Sequence, residues 1–254
     1  MRIYSWNVNW IRAIAKKGFL DWMEEEQPDI IGLQEIRVQD HQLKDELKNI
    51  NGYHSYFNFA ERKGYSGVAL YTKVEPIDVW YGMGIKKFDN EGRILAAEYP
   101  KFVLLNIYFP NGKRSKARLN YKLGFYDEIL NYCEGLRNDN KEIVIFGDYN
   151  TAHHEIDLKN PDANKNTSGF LPIERDWLDK LEEYGYIDTY RYFYPEKETY
   201  SWWSYRTRAR ERDAGWRIDY NFISEGLEDK LKGADILTDV MGSDHCPVIV
   251  ELDI

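Results

Sequence analysis

The stretch from Ile143 to Asn150 limits the fold more than any other part of the chain. Ile143-Val144-Ile145-Phe146 is a short apolar run, rich in β-branched residues, that stops at Gly147-Asp148-Tyr149-Asn150. A run of that length and composition predicts a strand buried on both faces. Its carboxyl end delivers a carboxylate and an amide two residues apart, which the alternation of a strand points the same way. In open α/β sheets that rim is where ligands bind. The same residues also suit a plain turn, opened by Gly147-Asp148 and capped by Asn150, so the functional reading depends on how the other strands end.

Several other strands end in the same kind of polar tip. Residues 2–8 alternate loosely and finish at Asn7-Val8-Asn9, a strand with Asn7 at its tip. Residues 11–26 carry Ile11, Ile14, Phe19, Leu20, Trp22 and Met23 among Lys and Glu, which predicts one amphipathic helix stopped by Pro28. Asp29 to Leu33 is a second apolar strand, ending in Gln34-Glu35. A Glu at the end of a buried strand is costly unless it is paired, here with Arg37, or holds a metal. Four short strands follow in meander spacing, at 53–59, 67–72, 94–99 and 103–109. The last places Asn106 and Tyr108 on one face, so the Tyr108 hydroxyl reaches toward the same cleft. Gly242 to Pro247 then sets Asp244-His245 at the junction with a final strand, Val248 to Leu252.

Bulk properties narrow the class. A chain of 254 residues buries roughly 70–75 % of its unfolded surface, enough for one large core. No linker or composition break divides it, so one domain over 1–254 is expected. A formal charge of −9 argues against a protein that coats nucleic acid by bulk positive charge. Cys133 and Cys246 lie far apart, which suggests neither a disulfide framework nor a thiolate zinc site and fits a reducing cytoplasm. No apolar signal region precedes Ile3 and no run is long enough to span a bilayer, so no membrane role is expected.

Two segments nevertheless concentrate positive charge. Residues 111–122 hold Lys113, Arg114, Lys116, Arg118 and Lys122 with no acidic residue, leading into a predicted helix over 116–134; such segregation suits a phosphate backbone. From Tyr200 to Tyr220, the rings of Tyr200, Trp202, Trp203, Tyr205 and Trp216 interleave with Arg206, Arg208, Arg210, Arg212 and Arg217. Aromatic planes suit rings or sugars and guanidinium groups suit phosphates. Between the two segments, Pro172 opens a helix whose Trp177, Leu178 and Leu181 are ordinary packing residues.

Asn7, Glu35, Tyr108, Asp148, Asn150, Asp219 and His245 thus all fall at or near predicted strand ends, and an α/β sandwich can gather those ends at one rim. Carboxylates with an amide and no thiolate favour a hard cation, Mg²⁺ or Mn²⁺. His and Asp can share proton and charge duties. Phosphoryl chemistry on an anionic substrate is the reaction class that uses all of them.

In order along the chain, Trp6-Asn7-Val8-Asn9, Leu33-Gln34-Glu35, Asn106 to Asn111, Gly147 to Asn150, Gly215 to Tyr220 and Gly242 to Pro247 resemble the motifs of the exonuclease III type of apurinic/apyrimidinic (AP) endonucleases. The resemblance runs from residue 6 to 247. It implies a four-layered α/β sandwich, with two packed mixed β-sheets flanked by helices. It also implies metal-dependent hydrolysis 5′ to an abasic deoxyribose in double-stranded DNA, with 3′→5′ exonuclease and 3′-phosphodiesterase activities. By the same resemblance, Glu35 is the main metal ligand, with Asn7 beside the ion and Asp244 reaching it through water. Asp148 orients or deprotonates the attacking water, and Asn150 holds it or a phosphate oxygen. His245 contacts the scissile phosphate with Asp219 behind it, while Tyr108 supports the phosphate or the leaving oxygen. Trp202, Trp216 and Ile218 form the wall of a pocket for a flipped abasic sugar. Asn111, Lys113, Lys116 and Arg206 are the expected contacts to DNA.

Two positions depart from the pattern. Trp10 stands where a small residue, usually Gly, follows Asn-Val-Asn, and Tyr149 stands where Phe is common. Neither removes a catalytic group, so Trp10 bears on substrate range rather than on chemistry. The resemblance further suggests a monomer, and the lack of a long basic N-terminal extension fits a prokaryotic, cytoplasmic protein associated with the nucleoid. The rival expectations are a nuclease that nicks directly at deoxyuridine or another damaged base, and a phosphoesterase of the same fold acting on a non-DNA substrate. A DNA-binding scaffold without chemistry would lack one of the seven rim groups, and all are present.

Overall fold

The apolar runs become strands of two six-stranded sheets in the computed structural model of the chain, which describes residues 1–254. In chain order they are β1 (Arg2–Asn7), β2 (Ile30–Gln34), β3 (His54–Asn58), β4 (Val68–Thr72), β5 (Asp78–Tyr81), β6 (Ile94–Glu98), β7 (Val103–Tyr108), β8 (Ile143–Asp148), β9 (Tyr186–Asp188), β10 (Asp219–Ser224), β11 (Leu231–Ile236) and β12 (Val248–Leu252). One sheet has the order β11-β12-β1-β2-β4-β3 and the other β5-β6-β7-β8-β10-β9. Only β1 with β2 and β7 with β8 pair in parallel, so both sheets are mixed.

The sheets pack face to face with helices outside, in four layers. Ile3, Ile30 and Leu70 of the first sheet meet Leu104, Val144 and Phe146 of the second in the inner core. On the outer face of the first sheet, Tyr4, Trp6 and Leu33 pack against Phe19 and Met23. On the outer face of the second, Ile143 and Ile145 pack against Phe125 and Ile129 of the helix Lys116–Asn138 and against Trp177 and Leu181 of the helix Pro172–Glu183. Every residue of β8 is buried, as its uninterrupted apolar run requires. Each such aliphatic or aromatic side chain contributes about 1.5–3 kcal/mol by leaving water. Truncating Phe146 to Ala would cost about 3–5 kcal/mol, because the cavity left between two rigid sheets cannot collapse.

Glycine is required where backbones meet. A Cβ on Gly32 would lie 2.0 Å from the Phe146 ring, so β2 can cross β8 this closely only without a side chain. One on Gly147 would lie 1.8 Å from the Ile107 carbonyl oxygen, and φ there is +150°. Gly18 accounts for a departure from the sequence reading. At φ +90° it breaks the expected single helix over 11–26 into Ile11–Ala15 and Phe19–Glu26. The long helix, begun by Ser115 whose Oγ accepts from the Arg118 amide at 3.2 Å, continues past the expected end at 134 to Asn138.

The strand directions assemble one polar rim. Tyr108 and Asp219 both pair across from Asp148, and Asn7 pairs across from Gln34, which precedes Glu35. β12, antiparallel to β1, begins just after His245. No helix is long and apolar enough to cross a membrane.

Candidate active site

Asp148, only 1 % exposed, is the hub of the rim. Its Oδ1 accepts the Asn150 backbone N–H at 2.8 Å, the Asx geometry expected of Asp-x-Asn at a strand end. Its Oδ2 accepts from Asn7 Nδ2 at 2.8 Å and from Asn150 Nδ2 at 3.3 Å. The Asn7 amide also donates to Glu35 Oε2 at 3.0 Å, so one NH₂ group bridges two carboxylates on two sheets. Asn7 Oδ1 is taken by the Asn9 backbone N–H at 2.9 Å. The other Glu35 oxygen pairs with Arg37. Opposite, Asp219 Oδ2 accepts from Ser201 Oγ at 2.6 Å and contacts His245 Nδ1 at 2.8 Å. The far ring nitrogen, Nε2, stands 3.9 Å from Asp148 Oδ2.

Burial sets the protonation states. The Asp148 carboxyl is pushed up, to about 7, chiefly by loss of water and then by the nearby Asp219 charge, with His245 and the Asn7 bond pulling the other way. For His245, burial opposes the charged ring, but the charge and hydrogen bond of Asp219 outweigh it and raise the imidazole to about 10. The ring is therefore a buried imidazolium at neutral pH. Tyr108 stays a neutral phenol: burial first, then the charges of Glu35 and Asp148, hold it well above its ordinary value. Asp244 lies below the usual carboxylate range. Burial works against it, but His245 and bonds from Asn9 Nδ2 (2.9 Å) and Trp202 Nε1 (3.1 Å) prevail.

The opening beside these groups is an aromatic-walled cavity of about 160 Å³, into which Asp148, His245, Tyr108, Trp202, Trp216 and Ile218 all face. Trp202 pairs by backbone bridges with both Trp216 and His245, which locks the wall to the catalytic side. The Lys113 ammonium hangs 4.8 Å from the Trp216 ring centre and 5.4 Å from that of Trp202. Asn111 Nδ2 donates to Asn150 Oδ1 at 2.8 Å. A larger groove of about 860 Å³ continues past Glu35 and Tyr108 and is edged by Arg37, Arg62, Arg93 and Arg114. Half of the non-glycine residues with positive φ belong to this region: Asn9, Trp10, Glu35, Arg37 and Asn150. Strain of that kind concentrates where a site must be held rigid.

The structure thus brings Asn7, Glu35, Tyr108, Asn111, Lys113, Asp148, Asn150, Trp202, Trp216, Ile218, Asp219, Asp244 and His245 into one constellation. Two expected DNA contacts lie apart from it: Lys116 and Arg206 are exposed and line neither the cavity nor the adjoining groove. Two of the charges read as facing phosphate are buried instead. Lys122 is fully enclosed and pairs with Glu174 at 2.7 Å while donating to Asn150 O and Thr151 Oγ1. Arg217 is held between Asp157 and Asp188, both at 2.7 Å. Tyr200 and Trp203 belong to the core. Asn9, Ser201 and Ser243 were not foreseen in the site. Ser243 Oγ donates to Asn7 O at 2.8 Å and so ties the loop before β12 to the end of β1. Their one sequence signal was proximity to a rim residue. Tyr149, in place of Phe, is harmless: it is buried, stacks on Phe109 at 4.1 Å between centroids, and turns its hydroxyl to the Ile145 carbonyl.

The donor set fits a hard dication. Asp148, Asp219 and His245 have ligand-capable atoms within 4.8 Å of one another, but the Nδ1–Asp219 bond commits that ring to hydrogen bonding. Glu35 and Asp148 are drawn together by the Asn7 amide that both accept, Asp244 lines the same cavity, and Asp219 Oδ1 is buried without a partner. Such oxygen-only, charge-rich clusters suit Mg²⁺ or Mn²⁺ rather than a soft metal.

The endonuclease/exonuclease/phosphatase family profile matches residues 4–245. The chain is similar to an exodeoxyribonuclease of Bacillus subtilis, 44% identical over 256 residues with 100% of both chains covered. It is likewise similar to a DNA repair nuclease of Danio rerio, 42% identical across 99% of this chain and 82% of that one. Among solved structures, an AP endonuclease from Archaeoglobus fulgidus superposes with a TM-score of 0.90 at 30% identity, covering 100% of both chains.

Proposed function

The chain belongs to the endonuclease/exonuclease/phosphatase family, and from that membership we propose a metal-dependent DNA repair nuclease that hydrolyses the phosphodiester 5′ to an abasic site in double-stranded DNA. The observation that carries this reading is the convergence of Asp148 and His245, with His245 Nε2 3.9 Å from Asp148 Oδ2 and Asp219 behind the ring, on one tryptophan-walled cavity. A base and an imidazolium side by side can serve one phosphate together, the first through the attacking water and the second through a phosphate oxygen. The named activities of the relatives support DNA as the substrate class.

The chemistry assigned to the residues follows from their states. Asp148, with a carboxyl near 7, accepts a proton from a water molecule; a group titrating close to working pH is well matched to that task. The water oxygen forms a bond to phosphorus while the bond from phosphorus to the 3′ oxygen breaks, and that oxygen takes up a proton from solvent. The products are a 3′-hydroxyl and a 5′-phosphate on the abasic sugar. His245 donates its Nε2–H to a non-bridging phosphate oxygen, where negative charge grows, and Asp219 fixes the ring from behind. Tyr108, a neutral phenol, donates to the same phosphate or to the leaving oxygen. Asn150 and Asn7 hold Asp148 in place through its two oxygens. Glu35, with Asn7 and Asp244 beside it, would hold Mg²⁺ or Mn²⁺, which supplies positive charge to screen the phosphate.

Trp202, Trp216 and Ile218 receive the sugar. An abasic nucleotide leaves the duplex readily because it has no base to unstack, and this is one source of selectivity. Asn111, Lys113 and the arginine-edged groove take the flanking phosphates. The same site would trim 3′ ends as an exonuclease and 3′-phosphodiesterase, acting as a monomer. Two buried, unpaired cysteines support a reducing, cytoplasmic setting.

The test uses two end-labelled duplexes, one with a single abasic analogue and one with a single uracil, each with Mg²⁺ and with EDTA. Metal-dependent nicking on the 5′ side of the abasic analogue alone is the expected result. Nicking at both would extend the substrate to deoxyuridine, and nicking of neither would exclude the proposed reaction.

A further inference from the structure

Trp10 is held in a strained backbone conformation. Its backbone sits at φ +89°, ψ +99°, a region L residues rarely enter. Three backbone bonds hold it there: Trp10 N donates to Glu35 O at 3.0 Å, and Trp10 O accepts from Ala13 N at 2.9 Å and Ile14 N at 3.2 Å. A glycine would take up this conformation without strain. The side chain is covered over little more than half of its surface, which offsets the strain only in part. The indole is 44% exposed and lies outside the hydrophobic cluster that contains Val8, Ile11 and Ile14 on either side of it.

Its position is informative. Asn9, the preceding residue, lines the catalytic cavity and donates to Asp244 Oδ1 at 2.9 Å. The amide of Trp10 itself is bonded to the carbonyl of Glu35. The Trp10 side chain lines a separate groove of about 600 Å³, together with Arg12, Lys16 and Lys44. Glu46 is the one acidic residue that lines it, and it is already paired with Lys44 at 3.1 Å. An exposed aromatic plane among cationic side chains, beside a phosphoester-cleaving centre, is the arrangement that takes a nucleic-acid strand: cations for phosphates and a ring face for a base.

We infer that Trp10 is a nucleobase-stacking site, its indole packing on a base of the DNA bound across the active site while Arg12 and Lys16 take the adjoining phosphates. This rests on the nuclease reading above and adds to it a binding element outside the cavity that Trp202 and Trp216 wall. A stacking face gives a bulky residue a role at a position whose backbone suits glycine.

The test compares wild type with Trp10→Gly and Trp10→Phe in two measurements. One is binding of a labelled duplex carrying an abasic analogue, in EDTA so that no cleavage occurs; the other is thermal unfolding without DNA. Trp10→Gly is expected to bind about fivefold or more weakly, from loss of base stacking. It is also expected to melt about 2–4 °C higher, from relief of the strain. Trp10→Phe keeps a ring and stays within about twofold of wild type in affinity. Unchanged binding by Trp10→Gly, or a lower melting temperature showing that the indole serves the fold, would overturn the inference. Wild-type protein that binds no duplex at all would overturn it together with the nuclease reading, so the two failures are told apart by the wild-type arm.

Discussion

Asp219 Oδ2 lies 2.8 Å from His245 Nδ1, on the side of the ring away from Asp148, and leaves Nε2 3.9 Å from Asp148 Oδ2. One carboxylate therefore keeps the ring charged and aimed, and the other faces the open side. Asp219→Asn keeps the shape and removes the charge. The ring should then lose its proton far below about 10, nearer the ordinary histidine value of about 6.5. The alkaline limb of the kcat/KM profile moves down accordingly, and the rate at pH 8 falls about 10²–10⁴-fold. An unshifted alkaline limb would show that His245 does not act as a cation.

Asp148 sets the other limb. Its carboxyl is raised above the ordinary value, so the active, ionised form is lost as pH falls through about 7 in metal-free protein. A divalent cation held by Glu35 beside it favours the ionised form and moves this titration to lower pH. Carboxyl NMR of the metal-free protein, followed during a Mg²⁺ titration, should show a group near 7 moving down. In Glu35→Gln the shift should need far higher Mg²⁺. A group that titrates at an ordinary value without metal would contradict the assignment.

The buried ion cluster behind the aromatic wall governs stability. Burial disfavours charge on Asp157, but Arg217 and then Arg191 hold it well below the usual carboxylate range. A depressed carboxyl contributes stability in full above its unfolded value of about 4 and loses it as pH falls through the folded value. Arg217→Met leaves Asp157 and Asp188 without that partner, at a cost of about 3–5 kcal/mol at pH 7. Below about pH 4 the gap between variant and wild type should narrow. Denaturant midpoints at pH 7 and pH 3 test the sign.

Lys122 gives a prediction that separates positioning from packing. Its ammonium bonds to the carbonyl of Asn150, to Thr151 Oγ1 and to Glu174, all within a fully buried pocket under the cleft. Lys122→Met should destabilise the protein by about 3–5 kcal/mol, because Glu174 stays buried without its cation. It should also lower kcat more than it raises KM, since Asn150 anchors Asp148 rather than substrate. Loss of stability with kcat unchanged in the remaining folded protein would limit Lys122 to a packing role.

What could be read from sequence follows a physical division. β8 was legible because four apolar residues in a row admit few fates besides a doubly covered strand, and the polar residues that stop such runs end up at a rim. Glu35 and Asp148 follow from that pattern, Asn7 and Tyr108 from strand alternation, and His245 from the junction that precedes the last strand. Charge was the misleading signal. Lys122 and Arg217 read as phosphate contacts because their partners, Glu174 and Asp157, lie 52 and 60 residues away and meet them only after folding. The break at Gly18 was missed because the apolar pattern of 11–26 continues across it. Asn9 and Ser201 went unread because their roles are hydrogen bonds to other site residues, which no local pattern records.

In the proposed reaction Asp148 serves as the base of a phosphodiester hydrolase acting at abasic DNA. Single-turnover cleavage of an abasic-analogue duplex with Mg²⁺, wild type against Asp148→Asn, with DNA binding measured alongside, tests that role. The expected result is cleavage by the wild type, a loss of about 10²–10⁴-fold in the variant, and binding of DNA kept. Equal rates in the two proteins, or no cleavage by the wild type, would contradict it.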